Sequence, residues 1–224
     1  MTGAPRRGKR TSTTGKTQQA RKATGRAGPG RARRGRPGYD LDALLGVAIG
    51  VFTERGYDGT TMEDLAAALG ITKSSIYHHV SGKQEILARA LDRALAGLET
   101  VLTDARASAD PAMARLERAV RDSVATLIAE LPSVTLLLRV RGNTEVERAA
   151  LARRRRIDGE LAGLVTAAQG DGDLRPDLDP ALVARLIFGT VNSLVEWYRP
   201  RAGASPDLVA DALCAMVFDG LRRR

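Results

Sequence analysis

Between Thr60 and Lys83 the chain carries hydroxyls, amines, a phenol and imidazoles at close spacing: Thr60, Thr61, Thr72, Lys73, Ser74, Ser75, Tyr77, His78 and Lys83. No nucleophile–base–acid set can be assembled from them. What they offer is outward hydrogen bonding. A lysine ammonium can donate to guanine O6/N7 or to a phosphate. Serine and threonine hydroxyls can bond bases or phosphates. A tyrosine can reach a phosphate while its ring lies against a thymine methyl or a sugar. Exposed N–H groups at helix starts favour phosphate as well, which brings in Thr60, Thr61 and Lys83. His79 is expected to pack against the first helix, and Val80 to serve packing.

Three helices must hold these groups in place. Leu41, Leu44, Leu45, Ala48, Val51 and Phe52 recur at helical spacing from about Asp40 to Arg55, with Gly56 as a stop. Gly46 and Gly50, four apart, suggest a face that another helix could approach closely. Thr60 with Glu63 reads as the capping box of a second helix, whose buried stripe is Met62, Leu65, Ala66 and Leu69. Gly70 gives a tight turn and Ile71 an apolar plug. Thr72 caps a short third helix, Lys73 to about His79, with Ile76 facing inward and Thr72, Lys73, Ser74, Tyr77 and His78 facing outward. Ser81, with Gln84, caps a fourth helix running to about Asp104. Helix, tight turn and a short two-faced helix make a helix-turn-helix, whose polar side suits a DNA major groove.

The rest of the chain is helical in period, with candidates at 111–130, 133–141, 144–169, 180–199 and 206–222 separated by Pro, Gly or Asn. Strand-like alternation is absent, so the expected fold class is all-α. The chain has 224 residues, 43% of them hydrophobic and only 4% aromatic, enough for a sizeable helical core. No run of roughly 18 apolar residues suggests a membrane span. The basic N-terminus lacks the apolar stretch of a secretory signal. A single cysteine, Cys214, excludes an intramolecular disulfide and fits a cytoplasmic setting. With only His78 and His79 beside it, no metal site is expected, and no cofactor.

The net charge of +9 is uneven. Residues 1–38 hold twelve Lys/Arg and no Asp/Glu, leaving 23 basic and 26 acidic groups for the remainder. This arm is too poor in apolar side chains to fold alone. Its densest patch, with Arg33, Arg34 and Arg36, abuts the first helix and could add salt-sensitive DNA affinity, through the minor groove for instance. It could equally be a solubilising leader. A nonspecific architectural DNA-binding protein driven by the arm is the alternative reading of the whole chain. An enzyme finds no support in any catalytic cluster or Gly-rich phosphate loop.

The stretch Phe52–Leu87, and above all Ile76-Tyr-His-His-Val-Ser-Gly-Lys83, resembles the TetR family of bacterial transcriptional regulators. The likeness covers roughly residues 40–88. Val80 departs from it, standing where the family usually has phenylalanine. After the arm (1–38), expected from its composition to be disordered, the resemblance implies a DNA-binding domain (39–88) and an effector-binding, dimerising domain (89–224). It also implies a palindromic operator released on effector binding.

Two apolar helices near the C-terminus could pair with their symmetry mates. Ile187, Val191, Leu194, Val195, Leu213, Met216 and Val217 are the expected homodimer interface, with an intramolecular core as the other reading. Leu137, Arg139, Arg141, Phe188, Asn192 and Trp197 combine apolar bulk with polar handles suited to an amphipathic ligand. Arg153-Arg-Arg-Arg156 is either a solvated face or, through Arg154 with Arg139 and Arg141, an anion site. Leu136-Leu-Leu-Arg-Val-Arg-Gly-Asn-Thr-Glu-Val-Glu147 and Ile187–Pro200 look similar to regulators of fatty-acid, aromatic-acid or steroid breakdown, which implies an acyl-CoA thioester as effector.

Overall fold

In the computed structural model the described residues are 40–200 and 203–221, all of them helix or connection. Arg33, Arg34 and Arg36 lie outside them. α1 (Leu41–Arg55) starts on Asp40, whose carboxylate accepts from the Ala43 N–H at 2.7 Å, and it stops at Gly56. α2 (Met62–Leu69) is boxed by Thr61 and Asp64, one residue later than the Thr60/Glu63 register: each side chain accepts the other's backbone N–H, at 3.1 and 2.8 Å. Gly70 follows at φ 66°, the left-handed conformation that makes the turn tight at no cost to a residue without Cβ.

α3 (Lys73–Tyr77) has five residues, far below the length at which a helix holds itself in water. Thr72 caps it, and docking supplies the rest. Ile76 is fully buried and Val80 nearly so, against a core that includes Leu44, Phe52 and Leu65. Burial of an isoleucine of this kind contributes about 1.5–3 kcal/mol.

α4 (Lys83–Ala107) is 25 residues long, about 37 Å at 1.5 Å per residue. Its buried stripe, Ile86, Leu87, Ala90, Leu91, Ala94, Leu95 and Leu102, runs from the small N-terminal helices into the C-terminal ones. No side chain caps it. Ser81 does not pair with Gln84; instead Glu85 accepts from both the Ser81 N–H (2.7 Å) and hydroxyl (2.8 Å).

Behind α4 pack α5 (Ala112–Ala129), α6 (Leu131–Arg139), α7 (Glu145–Gly170), α8 (Pro180–Asn192), α9 (Leu194–Trp197) and α10 (Pro206–Leu221). α7 sits between α4, α5 and α8, α10 lies on α5, and α6 touches both α1 and α4. The expected single helix over 180–199 is broken at Ser193, whose hydroxyl donates back to the Thr190 carbonyl at 2.7 Å. At Gly97 a Cβ would come within 2.6 Å of the Thr126 methyl, so α4 and α5 approach as closely as they do only because Gly97 has no side chain. Gly46 and Gly50 play no such part. A Cβ added at either would meet nothing within 4 Å, and both are exposed. Among the described residues no helix is long and apolar enough to cross a membrane.

Candidate nucleic-acid interface and effector cavities

The outward face of α3 carries Thr72, Lys73, Ser74, Tyr77 and His78, all exposed, while Ile76 points inward. Ser75 is half-buried. The Thr72 hydroxyl lies 2.9 Å from that of Ser74 and 2.8 Å from that of Ser75, a fixed hydroxyl cluster at the start of the helix. Tyr77 is 47% exposed, which leaves its phenol open on this face. The Lys73 ammonium sits 2.5 Å from Glu63 on α2. That hydrogen bond raises the lysine's pKa and lowers the glutamate's. Glu63 therefore competes with nucleic acid for this ammonium, whose remaining donors stay open to solvent. Thr61 is exposed at the N-terminus of α2, held by its capping box.

Three expectations for this face need correction. Thr60 is 1% exposed and donates its hydroxyl to the Gly56 carbonyl at 2.7 Å, so it braces the α1–α2 loop and offers nothing to a phosphate. Lys83 is half-buried. Its ammonium donates to the carbonyls of Tyr57 and Thr60, each at 2.8 Å, and lies 4.3 Å from the centre of the Tyr57 ring. It is a strut for the same loop. His79 is exposed rather than packed, because α3 ends at Tyr77 and turns it away.

The ligand candidates do not converge. Arg139 and Arg141 line a cleft of about 570 Å³ between the α6–α7 corner and the α1–α2 loop, together with Phe52, Tyr57 and Glu147. The Arg139 guanidinium is engaged there by the Thr53 carbonyl. Asn143 donates to Asp58 at 3.1 Å in the same cleft. The buried Glu147 carboxylate accepts the Gly142 and Asn143 N–H groups at 2.9 and 2.6 Å and shapes the corner. Leu137 and Phe188 are core residues, 3% and 6% exposed. Asn192 and Arg154 are half-buried. Trp197 is 57% exposed and lines a separate apolar groove of about 280 Å³ with Leu194, Leu208 and Met216.

The expected dimer residues divide. Ile187, Val191, Leu194 and Leu213 are 1–5% exposed, sealed inside one subunit, so none is free to meet a second copy. Met216 is 66% exposed, and Val195 and Val217 are half-buried. The apolar side chains that do face outward nearby are Leu182, Leu186, Trp197 and Leu208, between 50% and 62% exposed. In helical pattern they look the same as their buried neighbours.

A third cavity, of about 580 Å³, takes Arg156 from the 153–156 run but none of Arg139, Arg141 or Arg154. It lies among α4, α5 and α7 and is lined by Arg106, Arg115, Arg156, Gly159, Glu160 and Gly163. Of the arginine run, Arg153 faces the other way. It is clamped by Glu99 at 2.8 and 2.7 Å and by Asp92 at 2.8 Å, which ties α7 to α4 and raises its pKa further.

Residues 44–90 match the family of bacterial regulatory proteins, tetR family, and residues 109–221 match the tetracyclin repressor-like C-terminal domain. The chain belongs to the TetR family. The HTH-type transcriptional repressor KstR2 of Rhodococcus jostii (strain RHA1) is 31% identical over 186 residues, 80% of this chain and 89% of that one. The crystal structure of a TetR-family regulator from Streptomyces coelicolor A3 matches with TM-score 0.74 and 55% identity, over 80% of this chain and 91% of that one. AibR in complex with isovaleryl coenzyme A and operator DNA matches with TM-score 0.66 and 27% identity, over 79% and 97%. Family and fold together make this TetR-type chain a DNA-binding regulator in which a helix-turn-helix is joined to a helical C-terminal domain.

Proposed function

We propose that the chain is a homodimeric repressor that holds a palindromic operator and releases it when an acyl-CoA thioester binds its C-terminal helices. The observation that carries the DNA part is α3: five residues fixed on Ile76, with Thr72, Lys73, Ser74, Tyr77 and His78 left free of the core. Ser75 and Thr61 would flank these contacts, and Arg33, Arg34 and Arg36 of the arm would add sequence-independent affinity. One short helix reads too few bases to specify a site. A second copy solves this by placing two recognition helices about one helical turn apart. The face of Leu182, Leu186, Trp197, Leu208 and Met216 supplies the surface for that copy.

The effector reading is supported by a relative of the same fold solved with isovaleryl coenzyme A and operator DNA. α4 offers the connection, since one end packs among the DNA-binding helices and the other borders the arginine-lined cavity. An effector that prefers one tilt of α4 shifts the spacing of the two recognition helices. By linkage, operator DNA then weakens effector binding by the same factor. Fluorescence anisotropy with labelled upstream DNA tests both parts. A specific repressor prefers its operator to random DNA by about 10³-fold or more, and a series of coenzyme A thioesters of increasing chain length should include one that releases it. Equal affinity for random DNA would favour an architectural protein instead. Retention of the operator with every thioester would remove the effector assignment.

A further inference from the structure

The cavity among α4, α5 and α7 has a chemistry of its own. Three guanidiniums reach it from three different helices: Arg106 from the last turns of α4, Arg115 from α5 and Arg156 from α7. One carboxylate in the lining opposes them, Glu160, and its oxygen is 3.9 Å from Arg106, too far for a hydrogen bond. Asp110 acts on Arg115 and Glu99 on Arg156 through space, while both Glu99 oxygens accept from Arg153 and Asp110 Oδ2 accepts from Ser108 and Arg118. The Nε–H of Arg115 is buried and has no hydrogen-bond partner. A buried donor without an acceptor is an uncommon cost in a folded protein, and the rest of the Arg115 guanidinium has no hydrogen-bond partner among the described residues that would compete with a ligand for it. Gly159 and Gly163 fall on one face of α7 and leave open space where side chains would stand. At about 580 Å³ the hollow is larger than a lone phosphate needs and within the range of small-molecule sites.

We propose that this cavity binds a phosphate-bearing organic anion, with the phosphate or pyrophosphate group received by Arg115, Arg156 and Arg106. Guanidinium forks match phosphate oxygens two at a time, which makes arginine the suited residue for such a group. The anion could be the nucleotide end of the thioester effector, in which case the inference rests on the effector reading above, or a separate phosphorylated metabolite. Because Arg106 belongs to α4, either ligand would grip the helix that continues to the DNA-binding face.

Titration calorimetry on the full chain with inorganic pyrophosphate, unacylated coenzyme A and a short acyl-CoA tests it, using R115M and R156Q. Arg156 is exposed, so R156Q keeps the fold even if R115M does not. The expected result is binding of pyrophosphate and coenzyme A to the wild type, weakened about ten-fold or more in each folded variant, the usual size of a lost charged hydrogen bond. Wild type that binds neither probe, or binding that R156Q leaves unchanged, overturns the proposal. Displacement of pyrophosphate by the acyl-CoA identifies the thioester's nucleotide end as the occupant; simultaneous binding identifies a separate anion. The two readings fail separately. A thioester that releases the operator equally from wild type and R156Q sinks the cavity assignment alone. Pyrophosphate binding lost in R156Q, with no thioester releasing the operator, sinks the effector assignment alone.

Discussion

Replacing Lys83 by methionine separates two roles for a lysine at the start of α4. The methionine keeps the apolar stem and removes the ammonium. In the structure that ammonium makes two hydrogen bonds of 2.8 Å, to the Tyr57 and Thr60 carbonyls, and lies over the Tyr57 ring. A hydrogen bond to a charged group contributes about 1.5–3 kcal/mol when well buried. A cation over an aromatic ring adds about 0.5–1 kcal/mol at an accessible site. Lys83 is half-buried and its two acceptors can be rehydrated in the variant, so the bonds count near their lower limit. K83M should therefore cost about 3.5–4 kcal/mol in stability. Denaturant unfolding measures it, and hydrogen exchange should show the 57–61 loop opening first. Operator affinity at one salt concentration will fall, but its salt dependence should not change. If Lys83 instead neutralised a phosphate, each copy would contribute about 0.9 to the slope of log K against log salt, roughly 1.8 for a dimer. A slope reduced by that amount, with stability within about 0.5 kcal/mol of wild type, would refute the strut role.

Glu63 competes with nucleic acid for Lys73, so E63Q should tighten operator binding and steepen its salt slope without altering the fold; unchanged affinity and slope would mean that Lys73 does not touch DNA. G97V should destabilise by about 1–3 kcal/mol through overpacking of α4 on Thr126, read as a lowered denaturation midpoint. L186E with W197E should convert the dimer to a folded monomer, seen by light scattering as half the mass at unchanged helicity; a dimer that persists would place the interface elsewhere. The pH dependence of α4's first turn has a defined sign. Hydrogen bonds from Ser81 and Arg89 lower the Glu85 pKa from 4.5 to about 2. Its stabilising effect is thus complete above about pH 4.5 and is lost as pH falls toward 2. E85Q should flatten that part of an acid-unfolding profile, and an identical profile would show that Glu85 plays no part.

How much was legible depended on the range of the interaction. The DNA-binding helices were readable because their caps, turn glycines and apolar stripes are local. Even the misplaced capping box follows from the sequence, since Thr60-Thr61 and Glu63-Asp64 admit two registers. What decides between them is the buried bond from Thr60 to Gly56. The Lys83 strut was hidden because its acceptors lie 23 and 26 residues away. On α8 the pattern identifies an apolar helix but not its inner side. Packing against α7 buries Val183 and Ile187 and leaves Leu182 and Leu186 outside. The arginine cavity needed α4, α5 and α7 in place before Arg106, Arg115 and Arg156 could be seen as neighbours. The run at 153–156 drew attention to a segment in which Arg153 is spent on Glu99 and Asp92.

The ties at the α6–α7 corner bear on how freely such regulators can exchange their reading heads. Arg139 holds the Thr53 carbonyl and Asn143 holds Asp58, so the reading head is anchored at its α1 side as well as through α4. A chimera spliced within α4 would join one parent's loop to another parent's corner. It would keep its ability to bind DNA yet lose its response unless residues 139–143 travelled with the head they grip. In lineages that reuse this architecture, the corner and the α1–α2 loop should therefore be inherited together, and the functional joint between modules lies away from the place where the chain itself passes from one to the other.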